Sequence, residues 1–164
     1  MEERLKQLTE DAKEKYKENK RFFSILKKRR IKRLDPMVHE IHEKVFAKTD
    51  CLTCGNCCKT TSPIFTEKDI KRIAKHFKMK EHAFIDFYLH RDKDDFWVLN
   101  DAPCAFLDLN DNMCNIYDVR PKACGEYPHT DRRKFIQITD LTLNNTSICP
   151  AVYDIVEELK EKFS

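Results

Sequence analysis

Apolar and charged positions alternate at helical spacing through the first third of the chain. Apolar residues recur at three- and four-residue steps from Leu5 to Leu26, with charged residues between them, which predicts a helix over residues 1–34. Asp35 and Pro36 predict the start of a second helix, with Asp35 as its N-cap and Pro36 in the first helical position. We therefore expect two helices ahead of the cysteine-rich part of the chain.

Shorter elements are predicted in the middle of the chain. Thr66 and Asp69 stand at the N-cap and N3 positions of a capping box, in which each side chain binds the other residue's backbone N–H, so a helix should begin after Thr66. A further helix is predicted over about residues 81–89. The apolar run at residues 96–99 predicts a short strand.

The last third mixes turns with a final helix. Residues 104–114 resemble a hairpin whose turn, Asn110 to Asn112, tolerates left-handed backbone. Weak alternation over residues 135–143 predicts a strand, and Cys149-Pro150 opens a last helix with an apolar stripe. The predicted fold class is α+β, predominantly α, with N-terminal helices followed by a small cysteine-rich, metal-centred domain with short strands.

Charge and cysteine content divide the chain into two parts. Residues 1–49 carry 15 basic and 9 acidic side chains, whereas residues 50–164 carry 16 and 19, together with all eight cysteines. We therefore expect a basic helical N-terminal extension over residues 1–47. A cysteine-cluster metal-binding domain, including the C-terminal helix, is expected over residues 48–164.

The end of the first predicted helix is strongly basic. Such a run can contact RNA or a protein partner, although a solvated helix face is the commoner role and no aromatic base-stacking residues interleave this one. The candidate contact residues are Lys27, Lys28, Arg29, Arg30, Lys32 and Arg33.

Four cysteines fall within eight residues, at the spacing C-x2-C-x2-C-C, between Cys51 and Cys58. Two intervening residues form a tight turn that directs both sulfurs toward one metal. Gly55 follows the second cysteine, where such a turn needs backbone without a Cβ. Adjacent side chains diverge, so Cys57 and Cys58 should serve neighbouring sites, or one should bind metal while the other packs.

The cellular compartment bears on what these thiols do. The chain has no secretory apolar stretch and no apolar run near the roughly 18 residues of a membrane span, so a cytoplasmic protein is expected. Thiols in a reducing compartment bind metals more often than they form disulfides, although an even number of cysteines keeps a disulfide framework as an alternative. The candidate metal ligands are Cys51, Cys54, Cys57, Cys58, Cys104, Cys114, Cys124 and Cys149.

Eight thiolates suffice for two tetrahedral sites, or for one site with spare ligands, and the sequence does not choose between these. The expected cofactor is zinc or iron, including a [4Fe–4S] cluster. Four thiolates leave either centre with a net negative charge, which calls for nearby donors and positive charge. Arg120 and Lys59 flank cysteines in the sequence and are the candidates for this role.

Histidines offer weaker candidates. His39 and His42 with Glu43 resemble a zincin motif, but that motif needs histidines four residues apart on one helical face. These are three apart, so we interpret the segment as a helix surface. His129, five residues after Cys124, is either a substitute ligand or a polar loop residue.

The complete cysteine pattern resembles a known family. Cys51-x2-Cys54-Gly-x-Cys57-Cys58 is followed by Cys104-x-Phe-Leu, Cys114-x-Ile-Tyr-x-x-Arg-Pro-x-x-Cys124, Tyr127-Pro128 and Cys149-Pro150. Over about residues 48–152 this resembles the bacterial CxxCxxCC or YkgJ-type family, which is described as a zinc- or iron-chelating domain. Gly125 departs from the family pattern, in which a basic residue is frequent.

The resemblance implies metal or iron–sulfur binding but fixes no reaction. A similar cysteine domain occurs in flagellin lysine N-methylases with an iron–sulfur cluster, but this chain is short and shows no methyl-donor motif. Metal binding in a structural or redox role is the leading function. The alternatives are an enzyme that uses an iron–sulfur centre on an unknown substrate, and a metal-stapled adaptor whose basic helices bind RNA or a protein.

Overall fold

The computed structural model describes residues 1–29 and 31–163. Over these residues the protein is predominantly helical with one two-stranded antiparallel sheet, which confirms the predicted fold class. The helices are α1 (Glu2–Arg29), α2 (Leu34–Phe46), α3 (Cys51–Cys54), α4 (Asn56–Thr60), α5 (Glu67–His76), α6 (Glu81–Tyr88), α7 (Lys122–Glu126), α8 (Thr139–Asn145) and α9 (Pro150–Glu161). The strands are β1 (Leu89–Arg91) and β2 (Trp97–Leu99), and 3-10 turns cover Tyr117–Val119 and Phe135–Ile138. No helix in the described ranges is long and apolar enough to cross a membrane.

The chain forms two compact units, one of which is discontinuous in sequence. Residues 1–51 and 128–164 form a helical unit, and residues 52–127 form a central unit. The C-terminal helix α9 thus belongs with α1 and α2, whereas the sequence grouped it with the cysteines. The domain boundary predicted between residues 47 and 48 remains a prediction.

The helical unit is built on apolar stripes from both ends of the chain. The stripe predicted for the last helix is confirmed, because α9 buries Val152, Ile155, Val156 and Leu159 completely. Burial of one such side chain contributes about 1.5–3 kcal/mol. The rest of this core consists of Phe23, Leu26, Leu34, Val38, Ile41, Val45, Phe135, Leu143 and Ala151. Each half of the unit therefore depends on the other for a buried apolar face.

The helix predicted to begin with Asp35 as its N-cap and Pro36 as its first residue starts two residues earlier, at Leu34. Arg33 is the residue before α2, and Asp35 lies in the first turn, where acidic residues favour the helix dipole. The carboxylate of Asp35 instead accepts hydrogen bonds from the backbone N–H groups of Lys134 (2.6 Å) and Phe135 (3.0 Å). The N-cap assignment was wrong because the Asp35 carboxylate binds the distant backbone of Lys134 and Phe135 rather than the N–H groups of its own helix.

Residues 135–143 are not a strand, contrary to the sequence prediction. They form the second 3-10 turn and most of α8, and Thr139, Thr142 and Leu143 are buried at helical spacing. The N–H of Phe135 is used by Asp35 and is therefore unavailable to a strand partner. Weak alternation was overridden by this tertiary contact and by the helical burial pattern.

The central unit packs α5 and α6 against the small sheet. The predicted capping box is confirmed at the start of α5, with Thr66 and Asp69 in their predicted roles. The strand predicted at residues 96–99 is confirmed as β2; its antiparallel partner β1 directly follows α6 and was not predicted. Phe84 and Phe106, whose ring centroids are 6.3 Å apart, are stacked in the core beside Phe77. Cys104 and Cys114 pack against this same core.

Candidate metal centre

The cysteine motif forms two short helices, α3 (Cys51–Cys54) and α4 (Asn56–Thr60), which are separated by a left-handed glycine. Gly55 has φ 56° and ψ 8°, between α3 and α4. This conformation costs an ordinary L-residue about 1–2 kcal/mol, so the tight turn predicted at the cysteine motif depends on glycine here. Cys54, Cys57 and Cys58 are all partly exposed on these two helices.

The predicted hairpin at residues 104–114 is attached to this segment. Leu107 pairs with Cys114 in an antiparallel bridge, and the N–H of Cys104 donates to the carbonyl oxygen of Cys58 (2.8 Å). At the turn, Asn112 has the left-handed φ of 61° that the sequence predicted as tolerable. Its side-chain amide donates to the carbonyl oxygen of Leu52 (2.8 Å). Two hydrogen bonds thus tie the hairpin to the cysteine motif.

Four thiols from four places in the sequence form one group in the central unit. Each of Cys58, Cys104, Cys114 and Cys124 interacts electrostatically with the other three. Burial raises the pKa of Cys104 to about 11, and the charges of Cys58 and Cys114 add to the effect. Burial raises the pKa of Cys124 to about 12, with further contributions from the other three thiolates. Cys114 is raised in pKa for the same reasons.

Cys58 differs from the other members of this group. A hydrogen bond with Cys57, whose Sγ lies 4.0 Å from Cys58 Sγ, lowers the pKa of Cys58 to about 7, against the opposing effect of burial. The charge of Lys59 lowers it further. Near neutral pH Cys58 is therefore the thiol of this group that most readily supplies a thiolate.

Arg120, which was predicted to lie near the centre, interacts electrostatically with two of these thiols. The positive charge of Arg120 lowers the pKa of both Cys114 and Cys124, against the larger effect of burial. The guanidinium lies over the ring of Tyr117, 3.8 Å from its centroid, and donates to the Tyr117 carbonyl oxygen (2.6 Å). Lys59, the other predicted residue, donates to the carbonyl oxygen of Cys54 (3.4 Å).

The donor set fits a thiophilic metal centre. The thiolate charges of this group raise the pKa of Cys104, Cys114 and Cys124, so the ionised thiols repel one another, and a bound cation replaces that repulsion with attraction. Thiolates are the preferred ligands of zinc and of iron–sulfur clusters. Cys58, Cys104, Cys114 and Cys124 are the residues that would hold such a group.

Comparison with known families agrees with this chemistry. A family model named CxxCxxCC, whose description is "Putative zinc- or iron-chelating domain", matches residues 50–150. The chain belongs to the CxxCxxCC family. The resemblance found over residues 48–152 is thereby confirmed, and with it zinc or iron binding as the general activity. No solved structure matches the chain.

The other cysteines of the CxxCxxCC pattern are distributed over both units. Cys54 and Cys57 lie in the central unit beside Cys58, whereas Cys51 and Cys149 belong to the helical unit. Cys51 is exposed, and Cys149 precedes α9 as its N-cap residue and packs against the core of that unit. Their assignment as ligands remains a prediction.

The predicted basic contact residues lie where α1 ends and α2 begins. Lys27 forms an ion pair with Asp140 (2.9 Å). Arg30 lies outside the described residues. Lys28, Arg29, Lys32 and Arg33 are exposed. A role in binding RNA or a protein remains a prediction for this group.

The histidine motif on α2 acquires a partner that the sequence did not indicate. His39 Nδ1 lies 2.7 Å from Asp131 Oδ1, and ligand atoms of His39, Glu43 and Asp131 all lie within 4.8 Å of one another. All three side chains are exposed, in agreement with the interpretation of this segment as a helix surface. His42 is half-buried, stacks on Phe46 and lies 2.8 Å from Thr130 Oγ1 through Nδ1. His129 has a left-handed φ of 67°.

Proposed function

We propose that the protein holds an iron–sulfur cluster in its central unit, ligated by Cys58, Cys104, Cys114 and Cys124. The observation that supports this set is the mutual interaction of these four thiols, each with all three others. Four thiolates are the usual ligand complement of a [4Fe–4S] cluster and equally of a structural zinc. The choice between the two rests on how far apart the sulfurs lie.

The spacing of the sulfurs favours the larger centre. Zn–S bonds of about 2.3 Å in a tetrahedron place neighbouring thiolates only about 3.8 Å apart. Among the residues that the structure describes, no three of these four sulfurs lie within 4.8 Å of one another. A cluster of four irons distributes its thiolates over a larger volume than a single ion, and each thiolate binds a different iron. This lower limit on the spacing of the sulfurs agrees with the wider arrangement of thiolates around a [4Fe–4S] cluster.

The surroundings of the group suit a negatively charged centre. Four thiolates outweigh the charge of the oxidised cluster core, so burial of the complex is costly without a cation nearby. Arg120 is placed to offset this charge, because it already favours the thiolate forms of Cys114 and Cys124. When bound, the cluster would supply one-electron redox chemistry and would also cross-link four distant segments of the unit.

Purification without oxygen tests the proposal directly. We expect brown protein with about four irons and four sulfides per chain. Replacement of Cys124 or Cys104 by Ser should abolish most of the visible absorption. Cys54 lies in the same sequence motif as Cys58 but outside the group of four thiols, so Cys54→Ser should retain the absorption. A colourless protein with one zinc per chain would overturn the cluster proposal. Retention of iron in both Cys104→Ser and Cys124→Ser would overturn the ligand set.

A further inference from the structure

Asp69 on α5 is a buried carboxylate that binds two separate parts of the central unit. Its side chain is 1% exposed. Oδ2 accepts hydrogen bonds from the backbone N–H (2.9 Å) and the hydroxyl (2.6 Å) of Thr66, which is the local capping box. Oδ1 accepts from the guanidinium of Arg72 (2.6 Å) and from the backbone N–H of Lys122 (3.0 Å), 53 residues further along the chain. A capping box needs only Oδ2, the oxygen that binds Thr66.

Arg72 extends the same contact along the chain. Its guanidinium donates to the carbonyl oxygens of Val119 (3.3 Å) and Arg120 (2.8 Å), in addition to Asp69. Together, Asp69 and Arg72 bind three backbone groups between residues 119 and 122. This short segment contains Arg120, and Cys124 lies two residues after its end.

The helix that carries Cys124 has little stability of its own. Helix α7 has five residues, and Pro121 at its N-cap position provides no side-chain hydrogen bond. Helices of this length are unstable in isolation, because nucleation costs more than so few hydrogen bonds return. The carboxylate of Asp69 takes the place of a cap by accepting the N–H of Lys122, the first residue of α7. The Asp69 carboxylate thus accepts backbone N–H groups at the N-termini of two helices, α5 and α7.

We propose that Asp69 and Arg72 are positioning residues for the metal centre, which fix Cys124 and Arg120 in the geometry that the cluster requires. This inference rests on the proposed function. Neither residue touches the cluster; both act through the backbone of residues 119–122. Residues that orient metal ligands in this way typically contribute about 10–100-fold to metal affinity or activity.

Variants that separate the two oxygens of Asp69 test this inference. Asp69→Asn and Arg72→Met alter the contacts to residues 119–122. Thr66→Ala is the matched control, because it removes the cap hydroxyl and leaves the Oδ1 contacts in place. On oxygen-protected full-length protein, we expect the first two variants to lose iron to a chelator about tenfold faster than wild type and to show a shifted visible spectrum. Thr66→Ala should release iron at the wild-type rate despite a lower thermal midpoint.

The results distinguish positioning from simple stabilisation. If all three variants accelerate iron loss in proportion to their loss of stability, with unchanged spectra, Asp69 and Arg72 have no positioning role. If Asp69→Asn fails to fold, Arg72→Lys decides, because lysine keeps the positive charge but cannot span two carbonyl groups with a planar fork. Wild-type iron release and an unchanged spectrum in Arg72→Lys would overturn the inference. Wild-type protein without any metal would instead overturn the proposed function.

Discussion

Gly55 and Asn112 pack so closely that a Cβ on residue 55 would lie 2.9 Å from Asn112 Oδ1 and 3.0 Å from its Cγ. Asn112 cannot easily withdraw, because its amide donates to the carbonyl oxygen of Leu52. Gly55 therefore meets two requirements at once, a left-handed backbone and close contact with the hairpin turn. Both requirements connect the cysteine motif to the segment that carries Cys104 and Cys114.

Substitution of Gly55 by Ala should weaken the central unit and its metal centre. The left-handed backbone alone costs about 1–2 kcal/mol, and the contact with Asn112 adds to this. Iron content after purification and the thermal midpoint should both fall. Gly125→Ala is the control, because a Cβ there would lie 3.8 Å from Arg120 Nε, an ordinary contact, and its expected effect is within about 0.5 kcal/mol. Equal effects of the two substitutions would contradict this prediction.

Removal of the metal should loosen particular segments of the central unit. The turns around Cys54 to Thr60 and helix α7 are too short to be stable alone. Helix α5 and the sheet retain a buried apolar core that includes Ile73 and Phe84. Hydrogen exchange read by mass spectrometry, before and after chelation under reducing conditions, should show faster exchange in the first two segments. If chelation accelerates exchange in these two segments no more than in the rest of the central unit, the metal does not order them.

Metal binding should become tighter as the pH rises. The pKa values of Cys104 and Cys124, about 11 and about 12, keep these thiols protonated at neutral pH in the metal-free protein, whereas Cys58 at about 7 is half ionised. A metal takes thiolates, so protons compete with it and must leave on binding. Zinc titration of the metal-free protein at pH 7, in buffers of different ionisation enthalpy, should show release of about three to four protons per zinc. Release of fewer than two would indicate a different ligand set.

The helical unit should lose stability in mild acid through His42. Burial lowers the pKa of His42, while the charges of Asp131 and Glu43 oppose this and that of His39 reinforces it. A histidine with a lowered pKa stabilises the fold fully above its ordinary value of about 6.5, and this contribution is lost as the pH falls toward the folded-state value. The protection factors of the α2 amides, which correct for the intrinsic pH dependence of exchange, should therefore fall more between pH 7 and 5.5 in wild type than in His42→Gln. The same fall in both proteins would exclude His42 as the cause.

Local sequence patterns predicted the elements whose determinants are local. The capping box of Thr66 and Asp69 was predictable because both partners lie within four residues. The start of the last helix at Pro150 was predictable for the same reason, since proline favours the first helical position. The left-handed turn residue Asn112 also followed from its own side chain.

Features that depend on distant partners were not predictable in this way. The grouping of Cys58 with Cys104, Cys114 and Cys124 requires four segments to meet, and spacing along the chain cannot choose four sulfurs from eight. Asp69 Oδ1 finds the N–H of Lys122 only in the folded unit. Asp35 likewise binds Lys134 rather than capping its own helix. In each case a contact across the chain decided an outcome that local propensity left open.

The discontinuity of the helical unit has a consequence for a nicked chain. Residues 1–51 and 128–164 pack against each other through α1, α2 and α9, so their association does not depend on the peptide bonds between them. A protease that cuts once among residues 52–127 would leave two fragments that elute together under native conditions and part only in denaturant. Such a cut would interrupt the central unit, whereas the helical unit would persist as a two-chain complex.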